Sequence, residues 1–178
     1  NRKILDFTSS MGVVALGHNH PKVVNAEKNF LNLNKINAIK VGPNKLQAVL
    51  AYNLSQLLPE SLSVSFFAVS GAEAVEGAMK LCEKIKGKKG RKFITSKGSY
   101  HGKTHGAMSV TKSEGISENF LMGIPNENII EVEYGNINQL EDALNSSSNE
   151  IIATIIEPIQ GQGIVVPPTN YLKQVVEI

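Results

Sequence analysis

Short apolar runs alternate with stretches of helical spacing from residue 64 onward, and this alternation constrains the possible folds most strongly. The runs predict strands, and the stretches between them predict helices because apolar residues recur there at intervals of three and four. Such an alternation is typical of an α/β fold, in which a parallel sheet carries helices on both faces. The predicted strands are 64–69, 91–96, 129–134 and 151–156, the last fully buried, and the predicted helices are 72–86 and 137–144.

The residues on either side of this alternation complete the predicted organisation. Helical spacing recurs at 22–33 and 44–58, and a further helix starts at 171 and runs to residue 178. We expect residues 1–60 to lead into a larger domain, of which residues 61–178 form the first part. Because the last predicted helix is still open where the sequence stops, we expect a piece of a longer protein.

Composition and charge argue against several classes of protein. The net charge is +2 and 19% of the residues are charged, which gives no field strong enough to favour nucleic acid or a membrane surface. No apolar run approaches a length of about 20 residues, which a membrane span needs, and no signal-peptide pattern opens the chain. The single cysteine, Cys82, excludes an internal disulfide, so we expect a core residue and a reducing cytoplasm.

Polar and small residues follow three of the predicted strands. They form the sequences Ser-Gly-Ala-Glu at 70–73, Ser-Tyr-His-Gly at 99–102 and Glu-Pro at 157–158. In sheets of this kind, ligands bind at the carboxyl ends of the strands. We therefore expect the functional site where these three segments lie.

A helix that begins at Gly71 or Ala72, directly after a predicted strand, indicates an anion site. Its first N–H groups have no partner within the helix, and its dipole adds partial positive charge there. Gly71 also lacks the Cβ that would hold an anion away, so phosphate suits this position. The alternative is a capping box, in which Ser70 accepts from the N–H of Glu73 and Glu73 reaches back. The sequence leaves both interpretations open.

Four segments spread over nearly the whole chain carry a family resemblance. They are LDFTSSMGVVALGHNHPKVV, FFAVSGAEAVEGAMKL, SYHGKTHGAMSVT and EPIQGQGIVVPPTNYLK. In order and spacing the sequence resembles the class III aminotransferases, which are fold-type I enzymes that use pyridoxal 5'-phosphate (PLP). Within that family it is most similar to the putrescine and ornithine/acetylornithine branch. The resemblance implies the large domain of a fold-type I PLP-dependent transferase, truncated before the lysine that forms the Schiff base.

The resemblance assigns cofactor contacts to five residues. Ser70, Gly71 and Ala72 match the loop that holds the cofactor phosphate, which agrees with the argument from the helix terminus. Tyr100 matches the aromatic residue that stacks on the pyridine ring, and Glu157 matches a glutamate near the ring oxygen of the cofactor. An ordinary core tyrosine and a structural salt bridge remain the respective alternatives for Tyr100 and Glu157.

The reactive half of the site is expected outside this chain. PLP chemistry requires a lysine that bonds to the cofactor and an acidic partner for the pyridinium nitrogen. The resemblance places both beyond Ile178, so it implies no catalytic residue and no turnover in this chain alone. His101 and His105 have the spacing of a metal pair, but without a third ligand we expect no metal there. The resemblance instead implies packing for His101.

Three departures from the ornithine-type members bear on the substrate. Met11 stands where those members have a tyrosine, Lys103 where they have an arginine, and Gln162 where they have a glutamate. Lysine lacks the planar, two-bond grip of arginine on a carboxylate, and methionine offers no hydrogen bond. We therefore predict an ω-amine or diamine donor that lacks an α-carboxylate.

The implied activity is the transfer of a terminal amino group from an ω-amine, a diamine or an amino acid to a 2-oxo acid in a homodimer. Neither nucleic acid nor a membrane is expected as a partner. One alternative is an aminotransferase of the acetylornithine or ornithine type, and an aminomutase of the same family is a lesser one. An alternative of a different class is a non-catalytic, truncated module that interacts with an intact relative.

Overall fold

The computed structural model describes residues 2–36, 38–39 and 41–178, which fall into two compact units. The first unit reaches Ser65 and the second begins at Phe66. The predicted division into residues 1–60 and 61–178 concerns the domains of the whole protein and stays a prediction. None of the helices in the described residues has the length and apolar character needed to cross a lipid bilayer.

The first unit is helical. Its elements are the helical turn α1 (Ser9–Gly12) and the helices α2 (Pro21–Asn32) and α3 (Lys45–Ser55). Pro21 suits the first turn of α2, where its missing N–H costs no hydrogen bond. Asn44 caps α3, because its side chain accepts from the N–H of Leu46 at 2.9 Å. The helices predicted at 22–33 and 44–58 are confirmed, the second with an earlier end.

The second unit alternates helices and strands along the chain. Its elements are α4 (Gly71–Lys86), β1 (Lys92–Ser96), α5 (His105–Val110), β2 (Ile129–Val132), α6 (Ile137–Ser146), β3 (Ile151–Ile155) and α7 (Tyr171–Glu177). The elements predicted from residue 72 onward are confirmed to within two residues at either end, and α5 is an addition to them. Helix α4 stops at Lys86 because Gly87 takes a positive φ of 70°, which favours glycine.

The three strands form one parallel sheet in the order β2-β1-β3. Phe93 of the central strand is in register with Ile129 of β2 and Ala153 of β3. Only Ile151 of β3 is buried, so the prediction of a fully buried strand at 151–156 is wrong. The reason is its position, because β3 lies at an edge of the sheet that the described residues form.

The apolar run at 64–69 is not a strand, which corrects the first of the strand predictions. It pairs with no strand among the described residues, and Val64 and Val69 are 90% and 92% exposed. An apolar run supplies β-propensity, whereas a strand also requires a hydrogen-bonded neighbour. The local pattern carries no information about that neighbour.

Helices cover both faces of the sheet, as the sequence predicts. Residues of α6 and of the strands form one buried cluster, made of Ile94, Val132, Leu140, Ala143 and Ile151. On the other face, Met79 of α4 and Val110 of α5 pack in one cluster with Phe93. Burial of one large apolar side chain contributes about 1.5–3 kcal/mol. The second cluster therefore fixes α4 and α5, the two helices that border the site, on the sheet.

Candidate functional site

The loops that follow β1 and β3 meet at one edge of the sheet. Tyr100, after β1, donates its N–H to Oε2 of Glu157, after β3, at 3.0 Å. The first turn of α4 lies beside this contact, and it lines a cleft of about 660 Å³ together with residues 100–104. The structure thus brings together the three segments in which the sequence predicts the site.

The start of α4 combines a capping box with free N–H groups. Ser70 is the N-cap residue, and its Oγ accepts from the N–H of Glu73 at 3.2 Å. Glu73 reaches back with Oε2 to the N–H of Val69 at 2.9 Å, one residue before the N-cap. The N–H groups of Gly71 and Ala72 have no acceptor among the described residues. The capping box is therefore confirmed, and it leaves two donors available for an anion.

The cleft suits a phosphate group attached to an aromatic ring. A Cβ built on Gly71 meets no atom within 4 Å, so a side chain there would project into open space. The unpaired N–H groups and the helix dipole favour an anion at this end of the cleft. Tyr100, which is 40% exposed, lines the same cleft and supplies an aromatic surface there.

Gly102 brings residues 100–104 into direct contact with the first turn of α4. Its φ is +136°, and a Cβ there would lie 2.7 Å from Cβ of Ala72 and 2.9 Å from Cβ of Ala107. No side chain fits into that space, and the backbone conformation is one that residues with a Cβ rarely adopt. The width of the cleft therefore depends on glycine at this position.

Thr111 holds the same segment from the buried side. Its Oγ1 accepts from the N–H of His101 at 2.9 Å. Its hydroxyl hydrogen has two possible acceptors, the carbonyl oxygens of Gly102 and Ala107, each at 3.0 Å. Because buried polar groups are costly when unpaired, this threonine stabilises the loop in one conformation.

His101 is buried, with 8% of its surface exposed, which agrees with the packing role that the resemblance implies. Its Nε2 lies 3.3 Å from Oγ1 of Thr95, which itself donates to the carbonyl oxygen of Val110 at 2.8 Å. Burial lowers the pKa of His101, and the carboxylate of Glu157 acts in the opposite direction. His105 is exposed, and no three metal-ligating side chains come together among the described residues.

Glu157 connects two loops through backbone donors. Its Oε2 accepts from Tyr100, as described above, and its Oε1 accepts from the N–H of Gly161 at 2.9 Å. The ion pairs within the described residues involve other carboxylates, so these contacts replace the structural salt bridge considered for Glu157. Its predicted place near the ring oxygen of a cofactor stays a prediction.

The three residues predicted to contact the substrate lie in different places. Lys103 lines the cleft beside α4 and also an adjoining cleft of about 380 Å³. Gln162 lines a separate cleft of about 630 Å³. Met11 belongs to the first unit, where it is 94% exposed. Of the two that belong to the second unit, Lys103 borders the same cleft as Ser70 and Gly71, and Gln162 does not.

Glu76 is a site residue that the sequence analysis does not single out. Its Oε1 accepts from Oγ1 of Thr104, from the N–H of Gly106 at 3.1 Å and from the N–H of Ala107 at 3.2 Å. One signal is present in the sequence, because Glu76 follows Ala72 by four residues and so lies on the same face of the helix. Its partners lie about thirty residues further on, where no local pattern indicates the contact.

The parallel sheet, the free N–H groups at the start of α4 and the tyrosine in the same cleft define an α/β protein with a candidate anion site at one edge of the sheet. The family model described as aminotransferase class-III matches residues 1–178. The chain belongs to this family, which confirms the resemblance and the α/β fold class inferred from the four sequence segments.

Solved structures of several transaminases share this fold. A thermostable (S)-enantioselective omega-transaminase from Thermomicrobium roseum is 26% identical, with a TM-score of 0.86 over 97% of this chain and 44% of its own. A transaminase from the marine bacterium Virgibacillus is also 26% identical, with a TM-score of 0.84 over 97% of this chain and 42% of its own.

The ornithine aminotransferase from Toxoplasma gondii, whose active site holds PLP at partial occupancy, has the same fold. It is 24% identical to this chain, with a TM-score of 0.81 over 99% of this chain and 42% of its own. This chain therefore spans less than half the length of each of the three structures.

Proposed function

We propose that the full-length protein is a PLP-dependent aminotransferase and that the start of α4 binds the cofactor phosphate. The observation that carries the proposal is the pair of N–H groups on Gly71 and Ala72, which have no acceptor among the described residues and border a cleft with an aromatic wall. Membership of the class III family supports it, because the family resemblance implies this cofactor.

The residues present in this chain would bind and orient PLP. Its phosphate would accept from the N–H groups of Gly71 and Ala72. The hydroxyl hydrogen of Ser70 is also available, because its Oγ uses a lone pair for Glu73. Tyr100 would cover the ring and exclude water from that side. When bound, PLP supplies an electrophilic carbonyl carbon and an electron-withdrawing ring.

The proposed donor is a putrescine-like diamine or another ω-amine, and the proposed acceptor is a 2-oxo acid. Lys103 supports this choice, because it is exposed in the cleft beside α4 and offers a compact charge rather than a two-bond grip. An α-carboxylate in the donor would lose hydration there without a well-matched partner. The substitutions at Met11 and Gln162 point in the same direction.

The test is a comparison of kcat/KM for putrescine and ornithine, with one fixed 2-oxo acid, in the full-length protein. We expect transfer that depends on PLP and favours putrescine. Lys103→Arg should shift the ratio toward ornithine by about five- to thirty-fold, since a second parallel hydrogen bond is worth roughly 1–2 kcal/mol. A wild-type preference for ornithine would contradict the donor proposal, whereas absence of transfer with every amine would contradict the proposed activity.

We also propose a homodimer, which the family resemblance implies. Light scattering on the full-length protein should give twice the mass of one chain. A monomer at the concentrations used for activity would contradict this part of the proposal.

A further inference from the structure

One carboxylate oxygen on α4 joins that helix to the next loop and the next helix. Oε1 of Glu76 accepts from the hydroxyl of Thr104, at the end of residues 100–104. It also accepts from the N–H groups of Gly106 and Ala107, in the first turn of α5, at 3.1 and 3.2 Å. Those N–H groups lack partners within α5, so Glu76 caps that helix from a neighbouring element.

The approach of Glu76 to α5 requires glycine at position 106. A Cβ on Gly106 would lie 2.8 Å from Oε1 of Glu76 and 2.9 Å from its Cδ. The hydrogen bond from Thr104 lowers the pKa of Glu76, with burial acting in the opposite direction. The carboxylate is therefore charged at neutral pH and makes strong, charge-assisted hydrogen bonds.

Besides Thr111 on the buried side, three further contacts fix residues 100–104. Glu157 holds the N–H of Tyr100 at one end, and Glu76 holds Thr104 at the other. Between them, Gly102 packs against Ala72 in the first turn of α4. Two of these three contacts involve the helix whose N–H groups face the cleft. Glu76 itself is not among the residues that line the cleft.

We propose that Glu76 is a positioning residue for the cofactor site. It holds residues 100–104 against α4 and thereby sets the separation between the N–H groups of Gly71 and Ala72 and the ring of Tyr100. It acts through these residues, without touching a ligand in the cleft. The inference rests on the proposed function, because it assigns Glu76 a role toward bound PLP.

The test compares three variants of the full-length protein freed of PLP. Glu76→Ala removes the acceptor from all three donors, whereas Glu76→Gln keeps a neutral oxygen at the same place. Glu83→Ala is the matched control, because Glu83 is an exposed residue of the same helix. Two quantities are measured, the Kd for PLP and the hydrogen-exchange rates of the amides in residues 100–107.

We expect Glu76→Ala to raise the Kd for PLP by roughly tenfold or more. The amides of Gly106 and Ala107 should exchange faster in this variant, while those of β1 keep their protection. Glu76→Gln should recover part of the affinity, because its amide oxygen still accepts a hydrogen bond. Glu83→Ala should match the wild type in both measurements.

If the wild type binds PLP and the Kd for PLP is unchanged in Glu76→Ala, the inference about Glu76 is overturned while the proposed function stands. Faster exchange throughout the protein would also overturn it, because the loss of affinity would then come from general unfolding. If Glu76→Ala does not fold, Glu76→Gln is the deciding variant. Wild-type affinity for PLP and wild-type exchange rates in Glu76→Gln would contradict the proposal that the charged carboxylate holds residues 100–104. A wild type that binds no PLP would overturn the proposed function itself, and the inference with it.

Discussion

Gly102 is the residue on which the shape of the cleft depends most directly. Gly98 and Gly102 indicate a turn beside Tyr100, and the structure has that turn at Lys97 and Gly98, while Gly102 takes a positive φ of +136°. The contact with Ala72 could not be predicted, because the two residues are thirty positions apart and only the packing of α4 brings them together. A local pattern therefore predicts the turn, but the close approach is a property of the tertiary structure.

Gly102→Ala should destabilise the full-length protein by about 2–4 kcal/mol, because it adds both a backbone cost and an atomic overlap. Gly115→Ala is the matched control. Gly115 also has a positive φ, of +74°, but a Cβ there meets no atom within 4 Å. The control should therefore show the backbone cost alone, about 1 kcal/mol. Equal losses of stability in denaturant unfolding of the two variants would contradict the packing described for Gly102.

His101 should make stability depend on pH. Because burial lowers its pKa below the ordinary value of 6.5, the unfolded chain binds a proton at a higher pH than the folded chain. This contribution to stability is present above about pH 6.5 and is lost as the pH falls toward the folded pKa. His101→Gln should flatten the pH dependence of Tm between about pH 7.5 and 5.5 in the PLP-free protein.

The exposed His105 provides the control for this measurement. His105→Gln, an exposed position at the start of α5, is measured in parallel as the matched variant. A slope that is unchanged in His101→Gln would show that burial of His101 does not govern the pH dependence.

At the scale of elements, the sequence predicts most helices and strands of the second unit, because their apolar spacing matches their burial. The exceptions share one physical reason. The run at 64–69 lacks a neighbouring strand among the described residues, and β3 lies at an edge of the sheet that they form. Both depend on which strands lie alongside, and a one-dimensional pattern does not contain that information. Helix α5 escapes prediction because its six residues are too few for a clear periodicity.

Helix α6 offers a test of how its sequence specifies its start. The side chain of Asn136 accepts from the N–H of Gln139 at 3.1 Å and so caps the helix. Asn136→Ala should lower the free energy of unfolding by about 1 kcal/mol. Asn145→Ala, at an exposed position of the same helix, should change it by less than about 0.5 kcal/mol. Equal effects in denaturant unfolding would contradict the capping role of Asn136.

At the scale of the whole molecule, the sequence predicts which segments form the site but not which cleft each of their residues lines. Gly71 and Tyr100 border the same cleft, as expected from their places after two apolar runs, although only the second run forms a strand. Gln162 follows a strand as well but lines a different cleft, because the loop after β3 turns back through the pairing of Gln160 with Val165. A place after a strand therefore predicts that a residue lies at this edge of the sheet, whereas the course of the loop determines which cleft the residue lines.

The central claim is that the start of α4 binds the phosphate of PLP. The most direct test measures the affinity of the full-length protein for PLP and for pyridoxal, which lacks the phosphate. Gly71→Val places a branched side chain where the structure shows open space, so the fold should tolerate it. We expect the Kd for PLP to rise by roughly tenfold or more while the Kd for pyridoxal stays the same. Ser70→Ala should cost less, on the order of 1 kcal/mol from the lost cap, plus any hydrogen bond to the phosphate. An unchanged Kd for PLP in Gly71→Val, or an equal loss for pyridoxal, would contradict the claim.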